Sequence, residues 1–67
     1  FKIKVNVLGG NEIEILFPAE NESRYLIQIS SNLERWLSLR IVNGDGGTSR
    51  ERFSILDGYG FFRVLKE

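Results

Sequence analysis

The feature that most constrains this chain is the strict alternation of apolar and polar residues in its first part. Residues 1–7 read Phe-Lys-Ile-Lys-Val-Asn-Val, and residues 12–17 resume the pattern after a Gly-Gly-Asn turn. A period of two is typical of a β-strand with one face buried and the other in solvent. Glycines in the turn tolerate the positive φ angles of a tight connection. The first two strands are therefore predicted to form a hairpin.

Further short β-rich segments follow, separated by turn-forming residues. They are residues 24–30, 36–42, 50–56 and 61–65. Pro18 is predicted to end the second strand, because proline cannot donate to a ladder. Residues 43–49 and 57–60 are predicted to be hairpin turns, since Asn-Gly and Asp-Gly sequences favour them. Short strands at a spacing of roughly ten residues predict a small all-β sandwich or barrel.

The same alternation predicts which side chains of the later strands face the core. They are Tyr25, Ile27, Ile29, Phe53, Ile55, Phe62 and Val64. In the fourth strand the most regular inward set is Leu37, Leu39 and Ile41. That set places Trp36 on the opposite face, unless a bulge reverses the pattern. Residues 31–36 are predicted to form one helical turn or a tight loop, because the segment is too short for a helix.

Composition narrows the classes of function. The 67 residues include no histidine, cysteine or methionine, and nine basic residues balance nine acidic ones. Zinc fingers, disulfide scaffolds and nucleophile–base pairs built on Cys or His are therefore excluded, so we expect no enzyme activity and no cofactor. Zero net charge argues against a nucleic-acid partner. No apolar run reaches the roughly 18–20 residues of a membrane helix, so no membrane insertion is expected.

A spaced set of aromatic, aliphatic and polar residues runs from the third strand to the end of the chain. Its members are Tyr25, Ile27, Ser30, Leu33, Trp36 and Leu39, then Phe53, Asp57 and the run Phe-Phe-Arg-Val at residues 61–64. This pattern resembles short fibronectin type III-like (immunoglobulin-like) β-sandwich modules of secreted and surface proteins of bacteria. Residues 13–19 resemble the second strand of such modules, so the resemblance spans residues 13–64.

The resemblance implies an all-β fold, a small antiparallel β-sandwich in which the last strand of a complete fibronectin type III domain is missing. It implies a non-catalytic accessory role, structural or protein-interacting, in an extracellular or cell-surface protein. Because the first residue is Phe1 and not methionine, we expect residues 1–67 to be a single module of a longer protein. Its expected partners are neighbouring domains of that protein or a second copy.

Outward-facing aliphatic residues suggest how such a module docks. The strand pattern places them at Leu8, Leu16, Leu26, Val42, Leu56 and Leu65. Isolated exposed leucines carry little information, but several on adjacent strands form a patch that favours contact with another surface. We expect a docking face to which Leu16, Leu26, Val42, Leu56 and Leu65 contribute.

A carbohydrate-binding module is the alternative. Trp36, Tyr59 and Phe61 are candidates for an aromatic platform that stacks on sugar rings. A single tryptophan in so small a domain is more often a core residue. The burial of Trp36 discriminates between the two interpretations.

Three charged groupings have a chemical and a structural interpretation. Glu12 and Glu14 share one face of the second strand, roughly 7 Å apart, a spacing that suits two glycosidase carboxylates but is also ordinary for surface charges. Residues 43–47 have the look of a calcium loop, yet they offer only two side-chain oxygens, so a plain hairpin tip is expected. The arginines are candidates for a basic stripe beside Trp36 and Phe61, or for cross-strand pairs with Glu12, Glu14 or Glu51. The stripe would consist of Arg24, Arg40, Arg52 and Arg63.

Overall fold

The computed structural model of the chain describes residues 2–55 and 58–67, and within these ranges it contains six β-strands and no helix. The strands are β1 (Lys4–Gly9), β2 (Glu12–Pro18), β3 (Arg24–Ser30), β4 (Leu37–Asn43), β5 (Thr48–Ser54) and β6 (Phe61–Lys66). All pairings between them are antiparallel. The prediction of an all-β chain of short strands is confirmed, and Pro18 ends β2 as expected.

The strands form two three-stranded sheets. Sheet I has the order β1-β2-β5, and sheet II has the order β4-β3-β6. The ring centroids of Phe17 on β2 and Tyr25 on β3 lie 5.2 Å apart, so the two central strands face each other. The chain is therefore a small antiparallel β-sandwich.

The core lies between β2 and β3, whose inward side chains alternate with outward ones. Its buried members are Ile13, Ile15, Phe17, Ala19, Tyr25 and Ile27. Phe53, Phe62 and Val64 from the outer strands pack against this cluster, as does Ile55 just after β5, which agrees with the alternation. No buried side-chain nitrogen or oxygen of the described residues lacks a hydrogen-bond partner.

The first hairpin is confirmed, but two other connections join different sheets. β1 pairs with β2. By contrast, β5 pairs with β2 and β6 pairs with β3, so neither returns beside the strand that precedes it. The predictions of hairpin turns at residues 43–49 and 57–60 are wrong, because a turn sequence signals a change of direction and not the strand that will be paired. Leu56 and Asp57 lie outside the described residues.

A bulge in β4 changes which of its side chains face the core. Leu39 is the extra residue, since the pairing with β3 passes over it. Beyond the bulge, Val42 packs against the core whereas Ile41 is 54% exposed. The inward position predicted for Ile41 and the outward one predicted for Val42 are therefore wrong, because one added residue reverses the alternation.

The β3–β4 connection is a tight loop, one of the two predicted forms. The Ser30 hydroxyl accepts hydrogen bonds from the N–H groups of Asn32 (3.2 Å) and Leu33 (2.9 Å). The Asn32 side-chain oxygen accepts from the N–H groups of Glu34 and Arg35, both at 2.9 Å. These local bonds hold the loop that leads into Trp36 and β4.

Candidate interaction surface

The outer face of sheet II carries a row of aliphatic side chains. Leu26 on the central strand is opposed by Ile41 on β4 and by Leu65 on β6. Ile41 is 54% exposed and Leu65 is 40% exposed. The three residues, called the apolar row below, cross the whole width of the sheet. An apolar surface on adjacent strands is the type of surface that contacts other proteins.

A polar row lies beside the apolar row and positions Trp36. The Gln28 side chain donates to the Ser38 hydroxyl (3.1 Å), and Arg63 Nε donates to Gln28 Oε1 (2.7 Å). The Arg63 guanidinium carbon lies 4.0 Å from the centroid of the Trp36 ring, a cation–π contact. Trp36 therefore lies on the outer face, as the inward set of β4 predicts, and Arg63 covers one side of its ring. Phe61, on the same face, is 42% exposed.

Tyr59 occupies a different place from the other two aromatic candidates. It lines a groove of about 450 Å³ at one end of the sandwich, with Val7, Ile13, Ile55 and Phe62 among the other lining residues. Trp36 and Phe61 do not line this groove. The predicted three-residue aromatic platform is therefore divided between two surfaces, because Phe61 faces outward on β6, away from the groove that Tyr59 and Phe62 line.

The predicted docking residues are also divided. Leu26 and Leu65 are direct neighbours on the outer face of sheet II. Leu16 lies on the outer face of sheet I, half-buried between Lys4 and Arg50. Val42 faces the core, and Leu56 lies outside the described residues. The pattern missed Ile41, which only the bulge in β4 turns outward.

On the outer face of sheet I, charged side chains cover a carboxylate. Glu14 lies between Asn6 on β1 and Arg52 on β5 and is only 6% exposed. Asn6 and Arg52 each donate a hydrogen bond of 3.3 Å to it, and Arg50 Nε lies 3.8 Å away. The prediction that Glu14 is a solvent-facing charge is wrong, since the long side chains of the flanking strands close over it.

The pKa of Glu14 decides what this carboxylate can do. Burial raises its pKa, but the hydrogen bonds from Asn6 and Arg52 and the charges of Arg50 and Arg52 together bring it below its usual value. A glycosidase pair needs one carboxyl group with a raised pKa to act as the acid. The lowered pKa of Glu14 does not suit the role of the acid, and its hydrogen bonds from Asn6 and Arg52 join β2 to both flanking strands.

The remaining arginines do not share one face. Arg40 reaches across to sheet I, where it bonds Glu51 at 2.7 Å and lies 4.7 Å from the ring centroid of Phe53. Arg24 bonds Glu67, the residue that follows β6, at 2.8 Å. The cross-strand pairs predicted with Glu14 and Glu51 are present. The basic stripe predicted as their alternative is wrong. Arg24 and Arg63 lie on the outer face of sheet II, Arg52 lies on the outer face of sheet I, and Arg40 crosses between the sheets.

The connection at residues 43–47 packs against the β2–β3 loop. Ala19 exchanges hydrogen bonds of 2.9 Å with the backbone of residues 46 and 47, and the Gly44 N–H donates to the Ser23 carbonyl at 2.7 Å. Asp45 Oδ1 accepts from the Gly47 N–H at 2.9 Å. In the described ranges no group of three acidic side chains is arranged to hold a metal ion. The Asp45 carboxylate instead stabilises its own turn.

No protein-family model matches this chain, and neither does any curated protein or solved structure. The described part of the chain contains no helix of the length and apolar character that a membrane span requires.

Proposed function

We propose that this chain is a non-catalytic protein-interaction module that docks through the outer face of sheet II. The observation that carries the proposal is the apolar row of Ile41, Leu26 and Leu65, which spans all three strands while two of its members stay exposed. The outer face of sheet I differs, because its charges bond to one another. A face rich in exposed aliphatic side chains gains more from contact with another apolar surface than a charged face does.

The strand order supports assigning the module to the immunoglobulin-like sandwiches. In that plan the first, second and fifth strands share one sheet, and the third and sixth pair in the other. Here β1-β2-β5 and β3-β6 are arranged in this way, with β4 beside β3. Together with the pattern of residues 13–64, this supports a fibronectin type III-like accessory module. A place outside the cell, on a bacterial secreted or surface protein, is proposed from that resemblance.

The alternative proposal, carbohydrate binding, has narrower support. Only Trp36 and Phe61 of the three aromatic candidates lie on one face, and Arg63 already stacks on the Trp36 ring at 4.0 Å. One half-exposed indole and one Phe ring offer little area for a pyranose. Tryptophan fluorescence separates the two proposals, since a sugar that stacks on Trp36 has to displace Arg63 and shift the emission.

Site-specific photo-crosslinking tests the docking face. A benzophenone amino acid replaces Ile41 or Leu65 on sheet II, or Lys4 or Arg50 on sheet I as matched controls, in the protein as its own cells produce it. We expect one recurrent cross-linked protein from the sheet II positions, and loss of that product when Leu65 carries the probe and Ile41 is changed to Lys. Equal cross-linking from both faces would show that sheet II is not the docking face.

A further inference from the structure

Val7 on β1 faces inward but is not covered. It pairs with Ile13, which is 3% exposed and belongs to the core, so both side chains point towards sheet II. Val7 is nevertheless 78% exposed. An inward valine with this exposure means that, at this end, the described strands of sheet II do not extend over β1.

The groove beside Val7 has apolar walls, and the described residues place one charged side chain at its rim. Ile13, Ile55 and Phe62 contribute aliphatic and aromatic walls to its volume of about 450 Å³. Of the described residues that line it, Glu12 is the one that is acidic or basic, and it is exposed. No ion pair to Glu12 is found among residues 2–55 and 58–67. The groove therefore fits one or two large apolar side chains next to a basic group.

The strand that borders this groove, β6, has a free backbone edge within the described residues. The Glu67 N–H donates to the Arg24 carbonyl of β3. Because antiparallel strands alternate the direction of their backbone groups and β6 has no register shift, residues 61, 63 and 65 also face β3. The N–H and C=O groups of Phe62, Val64 and Lys66 therefore point away from the sheet.

The other three edge strands carry features that oppose pairing. β4 has the bulge at Leu39, and β1 has a register shift between Val7 and Gly9. β5 carries Glu51 on its inward face, bonded to Arg40. Bulges and inward-pointing charges are the usual protections of sheet edges. β6 has no bulge, and its one inward charge, Lys66, lies at the end away from Phe62 and bonds Glu20. The inward side chains beside the groove, Phe62 and Val64, are apolar.

We propose that the β6 edge, together with the groove at Val7, accepts an extended strand from another polypeptide. That strand extends sheet II beyond β6, places alternate large apolar side chains against Val7 and Phe62, and carries a basic residue that reaches Glu12. In this mode, main-chain bonds supply affinity and side-chain pockets supply specificity. The site is separate from the outer face of sheet II, so this inference goes beyond the proposed function.

The chemistry disfavours a second copy of β6 as the occupant. Of the two antiparallel registers with the longest overlap, one sets the second copy's Lys66 opposite Phe62, at the groove that Glu12 also lines, but this lysine already bonds Glu20 of its own chain at 2.7 Å. The other sets two Arg63 side chains directly opposite each other, and like charges in that arrangement are destabilising. A strand with apolar inward residues and one basic end that has no partner in its own chain fits better than either.

Amide hydrogen exchange with a designed peptide tests the proposal. The probe is a capped peptide about as long as β6, with leucine or valine alternating with threonine, made in two forms that carry arginine at the first or the last position. With one of the two forms we expect slower exchange at Phe62, Val64 and Lys66 and no change at Arg63 and Leu65. The alternation is specific to strand pairing, since binding elsewhere on β6 would not follow it.

Variants and a modified peptide locate the contact. V7K is expected to weaken binding about tenfold, and E12Q about threefold, the latter only for peptides that carry arginine. I41K, on the outer face of sheet II, is the matched control and leaves peptide binding unchanged while it removes the cross-linked product described above. Methylating the peptide nitrogens that face β6 abolishes binding, because their donors are lost.

Some outcomes would overturn the proposal. The first is that neither peptide slows exchange at the three outward amides. The second is that the N-methylated peptide binds as well as the unmodified one. The third is that rising protein concentration alone slows exchange at the same amides, which would identify a second copy as the occupant. If I41K loses the cross-link while neither peptide binds, the docking face stands and only this inference fails.

Discussion

The β4–β5 side of the sandwich and the β1–β6 side are built from equally short strands, yet they end differently. On the β4–β5 side, Arg40 crosses between the sheets to bond Glu51 at 2.7 Å. On the β1–β6 side, Val7 faces inward and is 78% exposed beside an apolar groove. The first side is closed by an ion pair and the second is open.

The difference shows that packing two sheets against each other does not by itself cover the space between their edge strands. Core side chains on the central strands hold the layers together, but each edge needs a separate group that spans about 10 Å between sheets. The long side chain of Arg40 does this because the bulge in β4 directs it inward. In the described part of the chain no such side chain reaches across between β1 and β6, which leaves that side available to another strand.

The largest expected loss of stability comes from a substitution at a close backbone contact on the closed β4–β5 side. A Cβ on Gly44 would overlap the carbonyl oxygen of Glu20, so G44A should cost about 2–3 kcal/mol in free energy of unfolding. Gly60, at the open end, has no atom within 4 Å of the position that a Cβ would take. G60A should change stability by less than about 0.5 kcal/mol. Urea unfolding of both variants checks the contrast, and equal losses would contradict it.

The next largest loss of stability is expected from one of two valines on β1. Val5 is half-buried and packs against the core, whereas Val7 is exposed at the open side. V5A should destabilise the domain by about 1 kcal/mol, since it removes partly buried methyl groups. V7A should cost less than about 0.5 kcal/mol. Thermal melting measures both, and a V7A loss as large as that of V5A would mean that the open side is covered in solution.

A double-mutant cycle measures the closing pair itself. Arg40 and Glu51 are partly exposed, so their coupling should be about 0.5–1 kcal/mol. R40A alone should cost more than E51A, because it also removes the guanidinium from the ring of Phe53. The more exposed pair of Lys66 and Glu20, at the end of β6, is the control and should couple more weakly. Zero coupling for the first pair would show that shape, not charge, closes this side.

The smallest effect at neutral pH concerns Glu14, which ties β2 to β5. Its pKa in the folded state is lowered, so its contribution to stability is present above the ordinary pKa of 4.5 and is lost as pH falls through the folded value. E14Q should therefore flatten the loss of stability between about pH 6 and pH 3. Some slope will remain, because Lys66 also lowers the pKa of Glu20.

R52A is the companion variant for this acid titration, because Arg52 donates a hydrogen bond to Glu14 and its charge also lowers the pKa of that carboxylate. The acid profile of R52A should be flatter than that of the unchanged protein, in the same direction as that of E14Q. An E14Q profile as steep as that of the unchanged protein would contradict the role of Glu14.

The core was predictable because one face of each central strand is entirely apolar. In residues 12–17 and 24–30, shifting the strand register by one residue would place every isoleucine in water. Only one choice of inward-facing residues therefore buries them. β4 was not predictable in this way, since Leu37, Leu39 and Ile41 give as good a pattern as the true inward residues Leu39 and Val42. Only the pairing with β3 determines where the extra residue goes.

The candidate surfaces were less predictable than the core. Leu26 and Leu65 were expected on an outer face, and they lie side by side because β6 pairs with β3, a contact between segments far apart in sequence. The burial of Glu14 depends on Arg52, 38 residues away. Neither contact has a local signal in the chain.

The sequence by itself determined that this chain forms short strands around a core of aliphatic and aromatic side chains. It also excluded chemistry that needs Cys or His. Both follow from the sequence because the period of apolar residues and the residue types present are local properties. Tertiary structure alone decided which strands share a sheet, which side chains the bulge turns outward and which side stays open. Those features arise from long-range pairing, whose energy depends on contacts that no single segment contains.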